Sequence, residues 1–240
     1  KNQKQTPIPN DTPQIAPLPQ LEPEPDTGSY LFGTIEVSSD IARALKKIGY
    51  KEPSPIQQRC ISPLMSGKDV VGQALTGTGK TASFTLPMIE ILSSGRARAR
   101  MPRSLILTPT RELATQIANN FETYGKYHKL TKALLIGGVS MVDQRRLLDR
   151  GVDVLIATPG RMLDLFDRGS ILLTGVKILV IDESDRMLDM GFIPDVERIV
   201  SLVSPIRQTL MFSATMPKEI KRLANKFLSS PKEIAVAPPA

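Results

Sequence analysis

The chain has 240 residues, of which 41% are hydrophobic and 23% charged, proportions typical of a globular protein with one large domain or two small ones. Its single cysteine and single histidine exclude an internal disulfide bond and a His/Cys zinc site, and favour a reducing, cytoplasmic setting; no apolar run approaches the length of a membrane span. The net charge of +7 and the isoelectric point near 9.6 suggest a polyanionic partner, usually nucleic acid, although many basic proteins bind none.

The first part of the chain differs in composition from the rest. Residues 1–27 contain seven of the 20 prolines and few large apolar side chains. Such a segment cannot bury enough surface to offset its ordering entropy, so we predict a disordered, Pro-rich lead-in without chemistry. We assign residues 28–240 to a single α/β domain.

Short apolar strands alternate with amphipathic helices along this domain. Strands that are almost entirely apolar and separated by helices indicate a mostly parallel sheet with helices on both faces. In such sheets, ligands bind at the carboxyl ends of the strands. Helix starts are predicted at Ser38 or Ser39, at Ser54-Pro55 and at Ser140. The predicted strands are 69–73, 104–108, 132–136, 153–157, 177–181, 208–212 and 233–236, and further helices are predicted at 80–93, 111–124, 140–148, 193–203 and 217–227.

The most informative motif follows the first of these strands, at residues 74–81. Gly77 and Gly79 allow the backbone to curl so that several N–H groups point at one phosphate chain, and the next helix adds its partial positive charge. Lys80 reaches the β- and γ-phosphates, and the Thr81 hydroxyl is a ligand for Mg²⁺. An ordinary glycine-rich turn is the alternative. The predicted nucleotide-binding residues of this loop are Ala74, Leu75, Thr76, Gly77, Thr78, Gly79, Lys80 and Thr81.

An acidic pair follows the apolar strand predicted at 177–181. Asp182 is suited to hold Mg²⁺ together with Thr81, and Glu183 to orient or deprotonate the attacking water. A solvated acidic turn is the alternative for the pair alone. With the phosphate loop upstream, we predict Lys80, Asp182 and Glu183 as catalytic residues.

These motifs resemble those of the first RecA-like P-loop domain of DEAD-box RNA helicases, within the bacterial RhlE-like group. The loop at 74–81 matches that family's A-x-T-G-x-G-K-T, in which Ala at position 74 replaces the Gly of the general phosphate-loop pattern. The resemblance covers about residues 30–238. The other matching elements, in order, are Phe32 with Gly49-Tyr50 and 53–57 (Q motif), 109–113 (motif Ia), 137–138 (the GG element), 158–161 (motif Ib), 182–185 (the DEAD position) and 213–215 (motif III).

The resemblance implies an activity for the whole protein. We expect the ATP-binding and hydrolysing half of an ATP-dependent RNA helicase, with ATP and Mg²⁺ as cofactors and local unwinding of short RNA duplexes. A second RecA-like domain, which would supply arginine fingers, is absent from this chain and expected in the full-length protein. The chain alone is expected to be a monomer that binds ATP and RNA weakly, hydrolyses ATP slowly and does not unwind RNA.

Two upstream residues are predicted to recognise the base. The Gln57 amide carries a donor and an acceptor that match the N6 and N7 edge of adenine and reject guanine. Phe32 is suited to stack on the base. Without the resemblance, Gln57 reads as a surface helix residue and Phe32 as part of the core.

The resemblance also assigns RNA-binding and coupling residues. Loop glycines, hydroxyls and arginines suit contacts to a sugar-phosphate backbone without sequence readout, although Thr158-Pro159 is equally good helix-start chemistry. Ser184 departs from the family, which has Ala at this position, and this puts the hydrogen bonds around Asp185 and Thr215 in doubt. The predicted RNA-binding residues are Pro109, Thr110, Arg111, Gly138, Thr158, Pro159, Gly160 and Arg161, and the predicted coupling residues are Asp185, Ser213 and Thr215.

Two other functions stay open at this point. One is a non-catalytic RNA-binding or scaffolding module that keeps the fold but barely turns over. The other is a P-loop ATPase that acts on DNA or protein rather than RNA.

Overall fold

A computed structural model describes residues 28–237; the predicted lead-in at 1–27 and the last three residues lie outside this part of the chain. Within it, seven strands form one parallel sheet, as predicted, and two further strands form an antiparallel hairpin. The strands are β1 Ser29–Phe32, β2 Ile35–Ser38, β3 Val70–Gln73, β4 Ser104–Leu107, β5 Lys132–Leu135, β6 Val154–Ala157, β7 Ile178–Ile181, β8 Gln208–Ser213 and β9 Lys232–Ala235.

The large sheet has the order β5-β6-β4-β7-β8-β3-β9. Because its strands are parallel, their carboxyl ends share one edge, here called the upper edge, and their amino ends share the lower edge. Each predicted strand of the sheet is present to within one residue at either end. The sequence therefore predicted the positions of all seven strands of the sheet.

The helices begin where the sequence offers caps. Ser38, not Ser39, caps the first helix, and its hydroxyl accepts the N–H of Ile41 at 3.4 Å. Ser140 accepts the N–H of Asp143 in the same way. The helices are α1 Ser39–Lys47, α2 Pro55–Met65, α3 Lys80–Leu92, α4 Arg111–Tyr124, α5 Met141–Arg150, α6 Pro159–Asp167, α7 Ser184–Asp189, α8 Ile193–Leu202 and α9 Lys218–Phe227, with a 3₁₀ turn at Leu173–Gly175.

The helices pack on both faces of the sheet, as predicted. Helices α1–α4 contribute to one apolar cluster and α5–α9 to the other. Alternate residues of each central strand enter opposite clusters: Ile106 of β4 points to the first, and Leu105 and Leu107 point to the second. The sheet is thus buried on both sides, which explains why its strands read as unbroken apolar runs. No helix in the described part of the chain is long and apolar enough to cross a membrane.

Three elements were not predicted. The hairpin β1–β2 turns at Gly33, whose φ of +60° suits a glycine, but each of its strands has only four residues, and only β2 alternates buried with exposed side chains. Helix α6 continues well beyond its predicted start at Thr158-Pro159, and α7 has six residues. Short elements of this kind carry too few periods for a sequence pattern to identify them.

Two buried carboxylates organise the lower edge. Asp69 accepts the N–H of Thr209 at 2.8 Å and that of Ser229 at 2.7 Å. Asp153 accepts from Arg103 Nε at 2.9 Å and from the N–H and hydroxyl of Thr131 at 3.1 and 3.0 Å. Both oxygens of each carboxylate therefore have partners, and the groups join loops that lie far apart in sequence.

The basic run between α3 and β4 is only partly the solvated loop that its composition suggests. Arg96 and Arg98 are exposed, but Arg103 points inward. Besides its bond to Asp153, the Arg103 guanidinium donates to the carbonyls of Leu92 and Ser94 at 2.5 and 2.6 Å. Arg103 therefore caps the end of α3, a structural role that the sequence did not reveal.

Candidate functional site at the upper edge of the sheet

Every sequence motif in the parallel-sheet part of the domain lies at the upper edge. The loops after β3, β7 and β8 carry the phosphate-loop, acidic and Ser213–Thr215 motifs, and those after β4, β5 and β6 carry the predicted RNA-binding residues. The strand order places the first three loops on one side of the edge and the other three on the opposite side, with β4 and β7 adjacent. The upper edge thus carries two neighbouring surfaces: the candidate nucleotide site on the loops after β3, β7 and β8, and the candidate RNA-binding surface on the loops after β4, β5 and β6.

The phosphate loop runs from β3 into α3. Ala74 is buried, Leu75, Thr76 and Gly77 are exposed, and Thr78, Gly79 and Thr81 are half-buried. Gly79 has a φ of +83°, and a Cβ atom there would lie 2.5 Å from Nε2 of Gln57, so this position requires glycine. The loop therefore lies directly against the start of α2. The N-terminus of α3, the helix that follows the loop, faces the cleft.

Lys80 meets both predicted carboxylates inside the cleft. Its Nζ lies 2.6 Å from Oε1 of Glu183 and 3.2 Å from Oδ1 of Asp182, and all three residues are less than 5% exposed. Burial lowers the pKa of Lys80, but the two carboxylates outweigh this, so its pKa lies above the ordinary value. A charged ammonium group is thus held at the point where the sequence predicts phosphates.

Asp182 has a buried oxygen that accepts no hydrogen bond from the described residues. This oxygen, Oδ1, is the one that lies 3.2 Å from the Lys80 ammonium group, so its contact with the protein is an ion pair. Burial raises the pKa of Asp182 above its ordinary value, although Lys80 opposes the shift. A buried carboxylate oxygen without a hydrogen bond, beside a phosphate loop, fits Mg²⁺, which takes one or two carboxylates and completes its shell with water and phosphate.

Gln57 lies under the phosphate loop and is fully buried rather than on the surface. Its Nε2 donates to the Gly79 carbonyl at 3.0 Å and to the Tyr50 hydroxyl at 3.1 Å, and its Oε1 accepts the N–H of Ser54 at 2.9 Å. Both amide protons are therefore already donated. Recognition of adenine by this amide stays a prediction, and it requires these bonds to be exchanged for bonds to the base.

Phe32 lies in the core behind this site. The residue is 3% exposed, and its ring packs on Tyr50 with the ring centroids 5.6 Å apart. Stacking on a base also stays a prediction, and the aromatic side chains that line the cleft are those of Tyr50 and Tyr124. The cleft has a volume of about 300 Å³, and one face of α4 forms a further wall. The residues of this wall are spaced as i, i+3, i+4, i+7 and i+11, a helical periodicity that is visible in the sequence. That wall consists of Leu113, Gln116, Ile117, Asn120 and Tyr124.

The predicted RNA-binding arginines converge on the loop after β5. Gly138 has a φ of +74°, and a Cβ atom there would lie 2.6 Å from Nη1 of Arg111, so the exposed Arg111 side chain lies against this glycine. Arg161 is half-buried and donates from Nη1 to the Val139 carbonyl and to Oε1 of Gln144, each at 3.2 Å. The structure thus brings residues from three separate motifs together.

The remaining predicted RNA-binding residues are at helix starts. Thr110 caps α4, where its hydroxyl accepts the N–H of the third helical residue at 3.2 Å, and Pro109 is buried before it. Thr158 and Pro159 hold the N-cap and first positions of α6, but the Thr158 side chain makes no capping hydrogen bond. Gly160 is exposed, with open space where a side chain would begin. The surface at Gly160 is accessible to a ligand backbone.

The predicted coupling residues join two loops of the phosphate-loop side of the edge, and their role in coupling stays a prediction. The Thr215 hydroxyl and N–H donate to Oδ2 of Asp185 at 2.9 and 3.0 Å, and the Asp185 N–H donates to the Ser213 hydroxyl at 3.1 Å. These bonds form with Ser184 in place, so the doubt that this residue raised about them is removed. They fasten the acidic turn after β7 to the end of β8.

Comparison with known proteins gives these arrangements a family. The sequence profile described as "DEAD/DEAH box helicase" matches residues 54–223, which include the phosphate loop and the acidic motif. The chain belongs to the DEAD/DEAH box helicase family. The resemblance recognised from the motifs is thereby confirmed.

Relatives of this DEAD-box chain support the same assignment. It is 44% identical over 206 residues to the ATP-dependent RNA helicase DeaD of Buchnera aphidicola, covering 85% of this chain and 34% of that protein. It is 44% identical to DeaD of Mycobacterium tuberculosis (89% and 38% covered) and 41% identical to the DEAD-box ATP-dependent RNA helicase CshA of Streptococcus pneumoniae (86% and 39%). The chain thus spans little more than a third of these relatives. Since they are named DeaD and CshA, the RhlE-like subgroup stays a prediction.

Solved structures confirm the RecA-like P-loop fold of this DEAD-box chain. A DEAD box protein from Methanococcus jannaschii matches with a TM-score of 0.78 at 37% identity, over 87% of this chain and 56% of that one. A hypothetical ATP-dependent RNA helicase from Sulfolobus tokodaii matches with a TM-score of 0.75 at 36% identity, over 82% and 56%.

Proposed function

We propose that this chain is the ATP-binding and hydrolysing half of an ATP-dependent RNA helicase that unwinds short RNA duplexes locally. The observation that carries the proposal is the buried trio at the upper edge, in which the Lys80 ammonium group lies within 3.2 Å of the Asp182 and Glu183 carboxylates. Cationic and anionic groups held in a cleft beside a phosphate loop suit binding and hydrolysis of a triphosphate. The printed names of the relatives supply the helicase and the RNA.

Each residue of the trio has a distinct role in this proposal. Lys80 leaves its carboxylate partners to bind the β- and γ-phosphates, together with the loop N–H groups. Asp182 and the half-buried Thr81 would hold Mg²⁺, which supplies positive charge for the phosphate oxygens when it is bound. Glu183, released from Lys80, accepts a proton from the attacking water. The buried setting strengthens all of these interactions because water is largely excluded.

Adenine recognition is part of the proposal. Gln57 already contacts the phosphate loop through the Gly79 carbonyl, 3.0 Å from its Nε2. Binding of adenine would exchange this bond for donation from Nε2 to N7, and Oε1 would accept from the N6 amino group in place of the Ser54 N–H. Gln57 would thus connect the base to the phosphate loop. Phe32 would support the base together with Tyr50, whose hydroxyl also accepts from Gln57.

RNA is proposed to lie across the loops after β4, β5 and β6. The exposed Arg111, the open Gly160 and the clustered Gly138 and Arg161 suit contacts to phosphates and riboses, without readout of the bases. The net charge of +7 favours such a partner. Asp185 and its partners Ser213 and Thr215 would transmit the presence of RNA to the acidic turn.

The complete protein is proposed to contain a second RecA-like domain. The chain covers 34–39% of its curated relatives, which leaves ample length for one. That domain would supply arginine fingers, so the chain alone would be a monomer that binds ATP and RNA weakly, hydrolyses ATP slowly and does not unwind RNA. Action in the cytoplasm is part of the same proposal, since RNA helicase relatives and a single unpaired cysteine suit a reducing compartment.

The direct test is steady-state ATP hydrolysis by the full-length protein, with RNA and with DNA of matched sequence at one salt concentration. We expect RNA to raise kcat more than DNA does, and Glu183→Gln to lower kcat by about 10²–10⁴-fold. Equal stimulation by DNA would favour an ATPase that acts on DNA, and wild-type kcat in Glu183→Gln would refute the catalytic role. Duplex unwinding by the 240-residue chain alone at catalytic concentration would refute the need for a second domain.

A further inference from the structure

Ser184 makes a contact that an Ala at this position could not make. The residue is fully buried at the start of α7, and its hydroxyl donates to the Phe212 carbonyl of β8 at 3.0 Å, with the Ile181 carbonyl at 3.4 Å. Strand β7 ends at Ile181, which is paired with Met211. The hydroxyl therefore extends the link between β7 and β8 one residue beyond the paired strands.

The residue before Ser184 has a strained backbone. Glu183 has φ +54° and ψ +47°, the left-handed region in which residues other than glycine are strained. Such a conformation persists only when its surroundings hold it. The N–H of Asp182 donates to the Leu107 carbonyl at 2.9 Å on one side, Lys80 holds the carboxylate, and Ser184 anchors the chain on the other side.

The anchor point itself is fixed relative to the phosphate loop. The Phe212 ring packs on Phe84 of α3 with the centroids 5.3 Å apart, and it lies so close to Gly72 of β3 that a Cβ atom there would be 2.6 Å from the ring. Helix α3 begins at Lys80. Ser184 thus fastens the acidic turn to a residue that packs on both elements flanking the phosphate loop.

We propose that Ser184 is a positioning residue that holds Glu183 in its left-handed conformation, so that the Glu183 carboxylate is aligned for activation of water. The inference rests on the proposed ATP hydrolysis and goes beyond it, because it assigns a role to the one position of the acidic motif that departs from the family. With Ala at position 184, the Phe212 carbonyl loses this donor, and the turn depends on the remaining contacts of Asp182 and Asp185.

The test is Ser184→Ala in the full-length protein with saturating RNA, compared with Ser104→Ala. Ser104 is equally buried and donates to the Asp153 carbonyl at 2.8 Å, but it lies at the lower edge. Both variants lose one buried hydrogen bond, so we expect similar losses of stability. Only Ser184→Ala should lower kcat, by about fivefold with an unchanged KM for ATP, since a misplaced base affects the chemical step.

A double-mutant cycle shows whether Ser184 acts through Glu183. In the Glu183→Gln background, single-turnover hydrolysis should not fall further when Ser184→Ala is added. Unchanged kcat in Ser184→Ala, an equal fall in Ser104→Ala, or additive losses in the double variant would each overturn the inference. If Glu183→Gln alone kept wild-type kcat, the proposed hydrolysis itself would fail, which is a distinguishable outcome.

Discussion

The two edges of the sheet use buried carboxylates in opposite ways. At the lower edge, Asp69 and Asp153 accept hydrogen bonds on both oxygens and join distant loops. At the upper edge, Asp182 leaves Oδ1 without a hydrogen bond among the described residues, and Glu183 has a strained backbone. A satisfied buried carboxylate stabilises a fold, whereas an unsatisfied one lowers its stability and is available to a ligand. The lower edge thus stabilises the fold, and the upper edge holds the groups suited to bind a ligand.

The largest expected effect is on activity at the upper edge. Asp182→Asn should lower ATP hydrolysis by about 10²–10³-fold, because the neutral amide is a poor partner for Mg²⁺ and phosphate charge. The same change removes one of the two carboxylates paired with Lys80 but leaves Glu183 at 2.6 Å as its charged partner, and it replaces an oxygen that accepts no hydrogen bond. The free energy of unfolding without nucleotide should therefore stay within about 1 kcal/mol of wild type. Steady-state ATPase assays and urea unfolding measure the two quantities. A large loss of stability in Asp182→Asn would show that Asp182 stabilises the fold as the lower-edge carboxylates do, and would contradict the difference between the edges.

The converse holds for Asp153 at the lower edge. Asp153→Asn should lower the free energy of unfolding by about 2–4 kcal/mol, because an amide NH₂ would face N–H donors and Arg103 would lose its charged partner. The kcat per folded molecule should not change. Asp149→Asn is the control, since its ion pair with Arg100 is exposed and should contribute at most about 1 kcal/mol. Loss of kcat in folded Asp153→Asn would show that the edges are not separable.

Asp69 should give a smaller effect of the same kind. Its carboxylate accepts two backbone N–H groups and has no ion-pair partner among the described residues. Asp69→Asn should therefore lower the free energy of unfolding by about 1–3 kcal/mol, less than Asp153→Asn in the same urea titration. The reverse order would mean that Arg103 contributes little at Asp153.

Asp185 sharpens the comparison because it lies at the upper edge but is satisfied. Partial burial raises its pKa, but bonds from Thr215 and neighbouring N–H groups prevail and keep the pKa below its ordinary value. A folded-state pKa below the unfolded one stabilises the protein above the unfolded pKa, and this stability is lost as pH falls through the folded pKa. Thr215→Val should weaken the acid dependence of unfolding below about pH 4, by roughly a few tenths of a kcal/mol at this partly exposed site. An unchanged dependence would contradict this role.

The sequence predicted the sheet and the site to different depths. Apolar strands buried on both faces are an obvious pattern, and the glycines of the phosphate loop are required by backbone geometry, so β3 to β9 and the upper edge were located in advance. Pairing partners are set by tertiary packing. The sequence could not show that Gln57 donates to the phosphate loop, that Phe32 is buried in the core, or that Arg103 is structural, because each depends on a residue 18 to 50 positions away.

The most direct test of the account is calorimetric titration of ATP with Mg²⁺ into this chain. The wild type should bind with a dissociation constant between about 1 μM and 1 mM, the range typical of enzyme substrates. Lys80→Ala should weaken binding by about tenfold or more, because the charge between the two carboxylates and the phosphates is lost. Asp153→Asn should bind as the wild type does while it is folded. Wild-type affinity in Lys80→Ala would contradict the assignment of the upper edge as the nucleotide site.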